Sequence, residues 1–140
     1  MPKMSYTPAY FNALQTDTLP GVLGVEILDV DSGAVKARMM VTPQHLAPNG
    51  FLHAASVVML ADTCCGYGCI ANLPQGAQGF TTIELKSNHL GTARDGAVLC
   101  VASPAHLGRT TQVWDAIITA ADCKTIALFR CTQMILWPKG

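Results

Sequence analysis

Two residues in the run APNGFLHAASVVMLADTCCGYGCIA, from Ala47 to Ala71, stand out as groups able to handle protons: His53 at its front and Asp62 near its middle. A carboxylate in such apolar company is costly to bury without a partner. Asp62 is therefore either tied to a backbone donor or an arginine, or it is a working group. The first backbone N–H groups of a helix over this run have no intrahelical acceptor and carry the positive end of the macrodipole. Such donors hold an oxyanion, the charge that develops when a carbonyl or thioester is attacked. A carboxylate facing them fits acyl transfer, as nucleophile or as general base toward water.

Spacing decides whether His53 and Asp62 can cooperate. The nine residue steps from one to the other, at about 100° each, leave them half a turn out of phase and roughly 13–14 Å apart along the axis. They point to opposite sides of one helix and do not share a site within one chain. In a two-fold dimer with antiparallel helices, the start of one helix faces the middle of the other, which gives two mixed sites. His53 also has a plainer reading as a helix-start residue, and Asn49-Gly50 by itself is a favoured turn pair. Gly66, one turn beyond Asp62, and Gly68 each cost a helix about 1 kcal/mol relative to alanine. They provide clearance for a substrate or for close helix packing.

The elements that must position these groups follow from periodicity. Tyr6 to Thr16 predicts a short helix, with Tyr10, Phe11 and Leu14 at helical spacing, broken by Leu19-Pro20-Gly21. GVLGVEILDV and GAVKARMMV predict two strands joined at Asp31-Ser32-Gly33. Pro43 to Gly50 is a loop. The long helix is followed by four extended segments: Phe80 to Leu90, Ala97 to Ala105, Thr110 to Ala120 and Thr125 to Trp137. TIELKSN alternates strictly, which sets Ile83 and Leu85 on one face and Glu84 and Lys86 on the other. One long helix with antiparallel strands predicts an α+β fold, the helix lying on the sheet.

Composition narrows the class. A chain of 140 residues that is 50% apolar and only 13% charged fits one domain with surplus apolar surface, the mark of a subunit that packs against its own copies. Nine basic and nine acidic residues balance without a Lys/Arg run, which excludes the basic stripe of a nucleic-acid binder. The first twenty residues hold no continuous apolar core of an export signal. A cytoplasmic location is expected, and the six cysteines then read as reduced thiols. Cys64, Cys65 and Cys69 cluster without His or paired Cys-x-x-Cys partners, which favours small buried hydrophobes over zinc ligands. The run from Ala54 to Leu73 is long enough to span a bilayer. Asp62, Ser56, Thr63, its glycines and the lack of flanking Lys or Arg point instead to a core helix.

NGFLHAASVVMLADT, TTIELKSNHLGTARDG and HLGRTTQVWDA together resemble the hotdog-fold acyl-CoA thioesterases, in the PaaI-like branch related to 4-hydroxybenzoyl-CoA thioesterase. The resemblance runs from about Leu19 to Trp137. It implies an α+β hotdog fold in which a curved antiparallel sheet wraps a long central helix, as a single domain over residues 1–140. The implied function is hydrolysis of an acyl-CoA thioester to free acid and CoA. By the resemblance Asp62 is the catalytic carboxylate, nucleophile or general base. The Ala54 N–H is the oxyanion donor, and His53 shapes the helix start. Thr82 falls where relatives carry a hydroxyl near the attacking water. Arg109 is placed as a contact for coenzyme A phosphates, where a plain surface arginine is the alternative. The acyl chain would lie near Met59, Cys65 and Gly66. The resemblance implies no separate cofactor, coenzyme A arriving as part of the substrate. It also implies a site shared across a homodimer, with a tetramer as a dimer of dimers.

Three departures from the family pattern stand out. The Gly-Gly after the histidine is Ala54-Ala55, which keeps the N–H but adds methyls around it. Relatives often carry an Asn about six residues before the His, whereas Asn49, the candidate orienting group, lies four before. Gly66 stands where some relatives have a hydroxyl residue. The alternative function is therefore a hotdog protein that binds acyl-CoA or acyl-carrier protein without turnover. A dehydratase of this fold pairs its His and acid in a different motif containing Pro-Gly-Val; the Pro20-Gly21-Val22 of this sequence lies some thirty residues before His53 and outside the run that carries Asp62.

Overall fold

The computed structural model describes residues 5–31 and 33–140. Its elements in chain order are α1 (Pro8–Leu14), α2 (Leu19–Val22), β1 (Val25–Val30), β2 (Val35–Met40), a 3₁₀ turn (Pro43–His45), α3 (Ala54–Ala71), β3 (Gly79–His89), β4 (Ala97–Leu107), β5 (Thr111–Thr119) and β6 (Thr125–Leu136). The six strands form one antiparallel sheet in the order β1-β2-β4-β5-β6-β3. The chain leaves β2 near one edge, crosses the sheet as α3, and re-enters as β3 at the opposite edge.

Alternation in the sequence explains how the sheet holds the helix. On β5, Gln112, Trp114, Ala116 and Ile118 are buried while Asp115 and Ile117 turn outward. Phe129, Cys131, Gln133 and Ile135 do the same on β6. Ten residues of α3 are buried, among them Val57, Leu60, Cys64, Cys65 and Gly68. The helix is long and apolar enough to cross a membrane, but half of it is buried against the protein. The whole curved sheet wraps its inner side, as the apolar all-round sequence requires.

The N-terminal segment departs from expectation in detail. The first helix is shorter than Tyr6 to Thr16, and Leu19-Pro20-Gly21 belongs to a one-turn helix instead of a plain break, with Pro20 in its first turn. Proline is tolerated there because that N–H has no helical acceptor. Phe11 is fully buried and stacks on Tyr67 of α3, the ring centroids 4.2 Å apart. Of the expected turn Asp31-Ser32-Gly33, Ser32 lies outside the described residues, as do Met1 to Met4. Asp31 Oδ1 accepts from the Gly33 and Ala34 N–H groups at 2.7 and 2.8 Å.

The start of α3 is pinned by His45. Its Nδ1 accepts the Thr42 N–H at 2.9 Å, so its Nε2 carries the proton and donates to the Leu23 carbonyl at 2.6 Å. The His45 carbonyl accepts both the His53 N–H, at 2.9 Å, and the Ser56 hydroxyl, at 2.8 Å. One buried residue thus ties the corner before β1 to the first turn of α3.

The β3 strand behaves differently from its pattern. Ile83 and Leu85, the apolar pair of TIELKSN, are 55% and 43% exposed. β3 pairs only with β6, and the register slips between Thr82 and Glu84. This bulge re-aims the side chains on either side of it. An eleven-residue edge strand with exposed Ile and Leu offers pairing to another chain.

Candidate active site

Asp62 occupies the third turn of α3, partly buried. Its Oδ1 is the one buried side-chain polar atom among the described residues that lacks a hydrogen-bond partner. Neither an arginine nor a backbone donor holds it, so the structural explanation for a carboxylate here fails. Burial pushes the Asp62 carboxyl above the ordinary aspartate range, and the nearby Thr82 hydroxyl acts against that rise. A carboxylate raised in this way is a better proton acceptor near neutral pH.

Thr82 stands on β3 immediately before the bulge and directly opposite Gln133 of β6. Its hydroxyl donates to Gln133 Oε1 at 2.7 Å. Gln133 is wholly buried, and its amide nitrogen donates to Cys131 Sγ at 3.4 Å. The sequence reasoning did not single out Gln133. A lone glutamine in a strand carries no outward mark of a buried partner.

The helix start holds the second part. His53 is the N-cap, in extended conformation, and its Nδ1 accepts the Ala55 N–H at 2.9 Å. The Ser56 and Val57 N–H groups go to the His53 carbonyl. Among the described residues, no acceptor takes the Ala54 N–H. The imidazole therefore leaves one N–H, that of the residue after it, pointing outward at the positive end of the helix. His53, Ala54 and Ala55 are all exposed. Asp62 lies half a turn away and roughly 13 Å further along the same helix, so one chain holds the two parts apart.

Other candidates are placed as follows. Asn49 stands in the turn before the helix, where its side-chain oxygen accepts the Phe51 N–H at 3.1 Å. The room left by Gly66 is taken by the ring of Phe80, which would lie 3.1 Å from a Cβ there. That is strand-to-helix packing, not an open channel. Met59 is 9% exposed and receives the Thr63 hydroxyl at 3.9 Å from its sulfur. Cys65 is sealed against Cys131, and Cys64 against Cys100, with both helix thiols pushed up by those contacts and by burial. The acyl-lining expectation at Met59, Cys65 and Gly66 thus meets a filled core within one chain. Arg109 lies over the Trp137 ring, 4.6 Å from its centroid. A second cation, not singled out from the sequence, is Arg94, 4.1 Å from the centroid of Phe51. Its neighbour Ala93 accepts the Leu52 N–H, one residue before His53. A groove of about 410 Å³ lies on the outer face of the sheet between Lys86, Asp115, Ile117 and Arg130; α3 and Asp62 are on the inner face. No group of three or more metal-ligating side chains occurs among the described residues.

A long helix wrapped by a curved six-stranded antiparallel sheet is the hotdog architecture. The sequence model of the thioesterase superfamily matches residues 49–127. The 1,4-dihydroxy-2-naphthoyl-CoA hydrolase of Listeria monocytogenes is 32% identical over 114 residues, 81% of this chain and 92% of that one. A mutant thioesterase PA1618 from Pseudomonas aeruginosa superposes with a TM-score of 0.90 at 29% identity, over 96% of each chain. The PaaI protein of the Escherichia coli phenylacetic acid degradation operon superposes with a TM-score of 0.80 at 28% identity, over 92% of this chain and 94% of that one. The chain belongs to the thioesterase superfamily, as one of its PaaI-like hotdog members.

Proposed function

We propose that the protein hydrolyses an acyl-CoA thioester, with Asp62 of one chain and the Ala54 N–H of a second copy forming one site. The observation that carries this reading is the buried, unpartnered Oδ1 of Asp62 beside the Thr82 hydroxyl, within a thioesterase fold. Relatives named as acyl-CoA hydrolases support the substrate class. The phase difference between Asp62 and the helix start supports sharing between chains, and the exposed β3 edge supplies a pairing surface for a homodimer.

Asp62 acts as general base. It takes one proton from a water whose oxygen adds to the thioester carbon, while the carbonyl electron pair moves to oxygen. The Ala54 N–H, at the positive end of its helix, stabilises that oxyanion. On collapse the C–S bond breaks, and the thiolate takes the proton back from Asp62. The products are a carboxylic acid and a free thiol. His53 serves by occupying the Ala55 N–H, which fixes the helix start. Arg109 and Arg94 are exposed cations available to the coenzyme A phosphates.

Release of thiol from a panel of acyl-CoAs tests this reading, run beside Asp62→Ala. Loss of a general base costs about 10²–10⁴-fold. An Asp62→Ala rate equal to the parent's would sink the assignment. Tight acyl-CoA binding without thiol release would favour the binding-protein alternative, for which the Ala54-Ala55 methyls are the motivating feature.

A further inference from the structure

Two aromatic rings press on glycines of α3, and only one of them is sealed. The indole of Trp114 covers Gly68 and is fully buried. Phe80, at the start of β3, brings its ring tip to 3.1 Å from the point a Cβ on Gly66 would occupy, yet it is only half-buried. The described residues therefore leave part of its ring uncovered.

That uncovered ring stands beside the carboxylate. Gly66 follows Asp62 by one turn on the same face of α3, about 6 Å along the axis. Phe80 and Thr82 lie two residues apart on one face of β3. Their cross-strand partners, Ile135 and Gln133, are both buried, so that face is the one turned to the helix. The strand thus sets its ring one turn beyond Asp62, whose Oδ1 is buried and has no partner among the described residues.

A thioester attacked at Asp62 carries two substituents on its carbonyl carbon, the acyl group and the sulfur of the CoA arm. The arm holds amide groups, which lose their hydrogen bonds to water wherever they meet only carbon. A phenyl ring over a glycine offers no donor or acceptor. It suits hydrocarbon, and hydrocarbon is what the acyl group supplies.

We propose that Phe80 sets the size of acyl group the site accepts: its ring, seated on Gly66, is the wall of the acyl pocket nearest Asp62. This deepens the hydrolysis reading above and rests on it. Phe80 moves no proton; it decides how far the acyl group reaches past the carboxylate. Glycine at position 66 is the seat that lets the ring stand back. A methyl there would push the ring a few tenths of an ångström into the pocket.

The test is thiol release from straight-chain acyl-CoAs of increasing length and from benzoyl-CoA, read as kcat/KM for each. Phe80→Leu removes ring bulk while keeping an apolar side chain against the helix. It should shift the ratio of large-acyl to small-acyl kcat/KM about tenfold toward the larger groups. Gly66→Ala should shift it the opposite way. The double variant should return part of the way to the parent profile, because the shorter side chain leaves room for the methyl. Ratios unchanged in both single variants would overturn the proposal. So would an equal loss for every acyl group together with dissociation of the dimer in size-exclusion chromatography, since the ring would then serve only to pack subunits. Asp62→Ala separates the two claims. If it hydrolyses as fast as the parent, the general-base reading fails, whatever Phe80 does. If it is inactive, dissociation constants of the same acyl-CoAs for it, with and without Phe80→Leu, should show the same dependence on acyl size. Affinities that ignore acyl size in that pair would mean that only the role of Phe80 fails.

Discussion

The indole of Trp114 lies where any side chain at position 68 would have to stand: its Cη2 and Cζ3 are 2.5 Å from the point a Cβ on Gly68 would occupy. Trp114 is fully buried and its Nε1 donates to Gln112 Oε1 at 2.8 Å, so it has no room to retreat. Gly68→Ala is therefore expected to destabilise by about 1–3 kcal/mol, the usual cost of overpacking. Gly66→Ala meets only the Phe80 ring at 3.1 Å, and Phe80 is partly exposed. There the roughly 1 kcal/mol gain in helix propensity offsets the contact. Urea unfolding of the two variants separates them; equal losses would contradict the packing described.

Asp62 opposes stability and activity to one another. Its carboxyl has a raised pKa in the fold because burial disfavours its charge. For a raised group the stability contribution is complete below the unfolded value, about 3.9, and is lost as pH rises through the folded value. Asp62→Asn removes that charge, so it should raise Tm at pH 7–8. The gain should shrink toward zero near pH 4. A Tm lower than the parent's at pH 8 would contradict the missing partner on Oδ1.

The same shift sets the acid limb of activity. The base works only when ionised, so kcat/KM should fall as pH drops through a value above that of an ordinary aspartate. A pH profile read by thiol release checks this. A limb at or below pH 4 would show that burial does not govern the working carboxylate.

Ala54→Pro removes the oxyanion donor with little disturbance to the fold. Proline suits the first helical position, and His53, at φ −68° and ψ 135°, already has the conformation that a following proline demands. Stability should stay within about 0.5 kcal/mol while kcat drops about 10²–10³-fold. Mixing unfolded Ala54→Pro and Asp62→Ala chains and refolding them together should restore activity, because a mixed dimer rebuilds one intact site. Mixtures no more active than the separate variants would mean that each site comes from one chain.

Arg109 and Arg94 are held over Trp137 and Phe51. If they meet coenzyme A phosphates as exposed charges, each arginine-to-alanine change should raise KM about twofold to fivefold and leave kcat alone. The effect should fade at high salt. A KM insensitive to both changes would leave these residues as surface packing.

Much of this arrangement is legible in the sequence because it follows from local pattern. The apolar run after His53 could only be a core helix, and alternation in β2, β4, β5 and β6 marks which side faces it. What the pattern misses depends on partners far along the chain. TIELKSN alternates without a break, yet its register slips at Ile83, since β6 sets the pairing. Gln112 and Gln133 carry no local mark of burial, yet both are buried, with hydrogen-bond partners that include Asn72 and Thr82 far away in sequence. Gly66 and Gly68 look alike two residues apart; only the arrival of Phe80 and Trp114 distinguishes them. The same holds for the site, where Asp62 and the helix start were visible and the residue behind Thr82 was not.

The His45 imidazole works as a rivet through three layers of chain. The ring holds Thr42 and Leu23, and the carbonyl of the same residue holds His53 and Ser56 at the start of α3, by hydrogen bonds of 2.6–2.9 Å. The single free N–H at Ala54 is thus aimed by a frame that begins some thirty residues earlier, and the helix start has almost no play of its own. A substitution at the corner before β1 that breaks the Leu23–His45 bond would thus be felt at the helix start, through bonds alone.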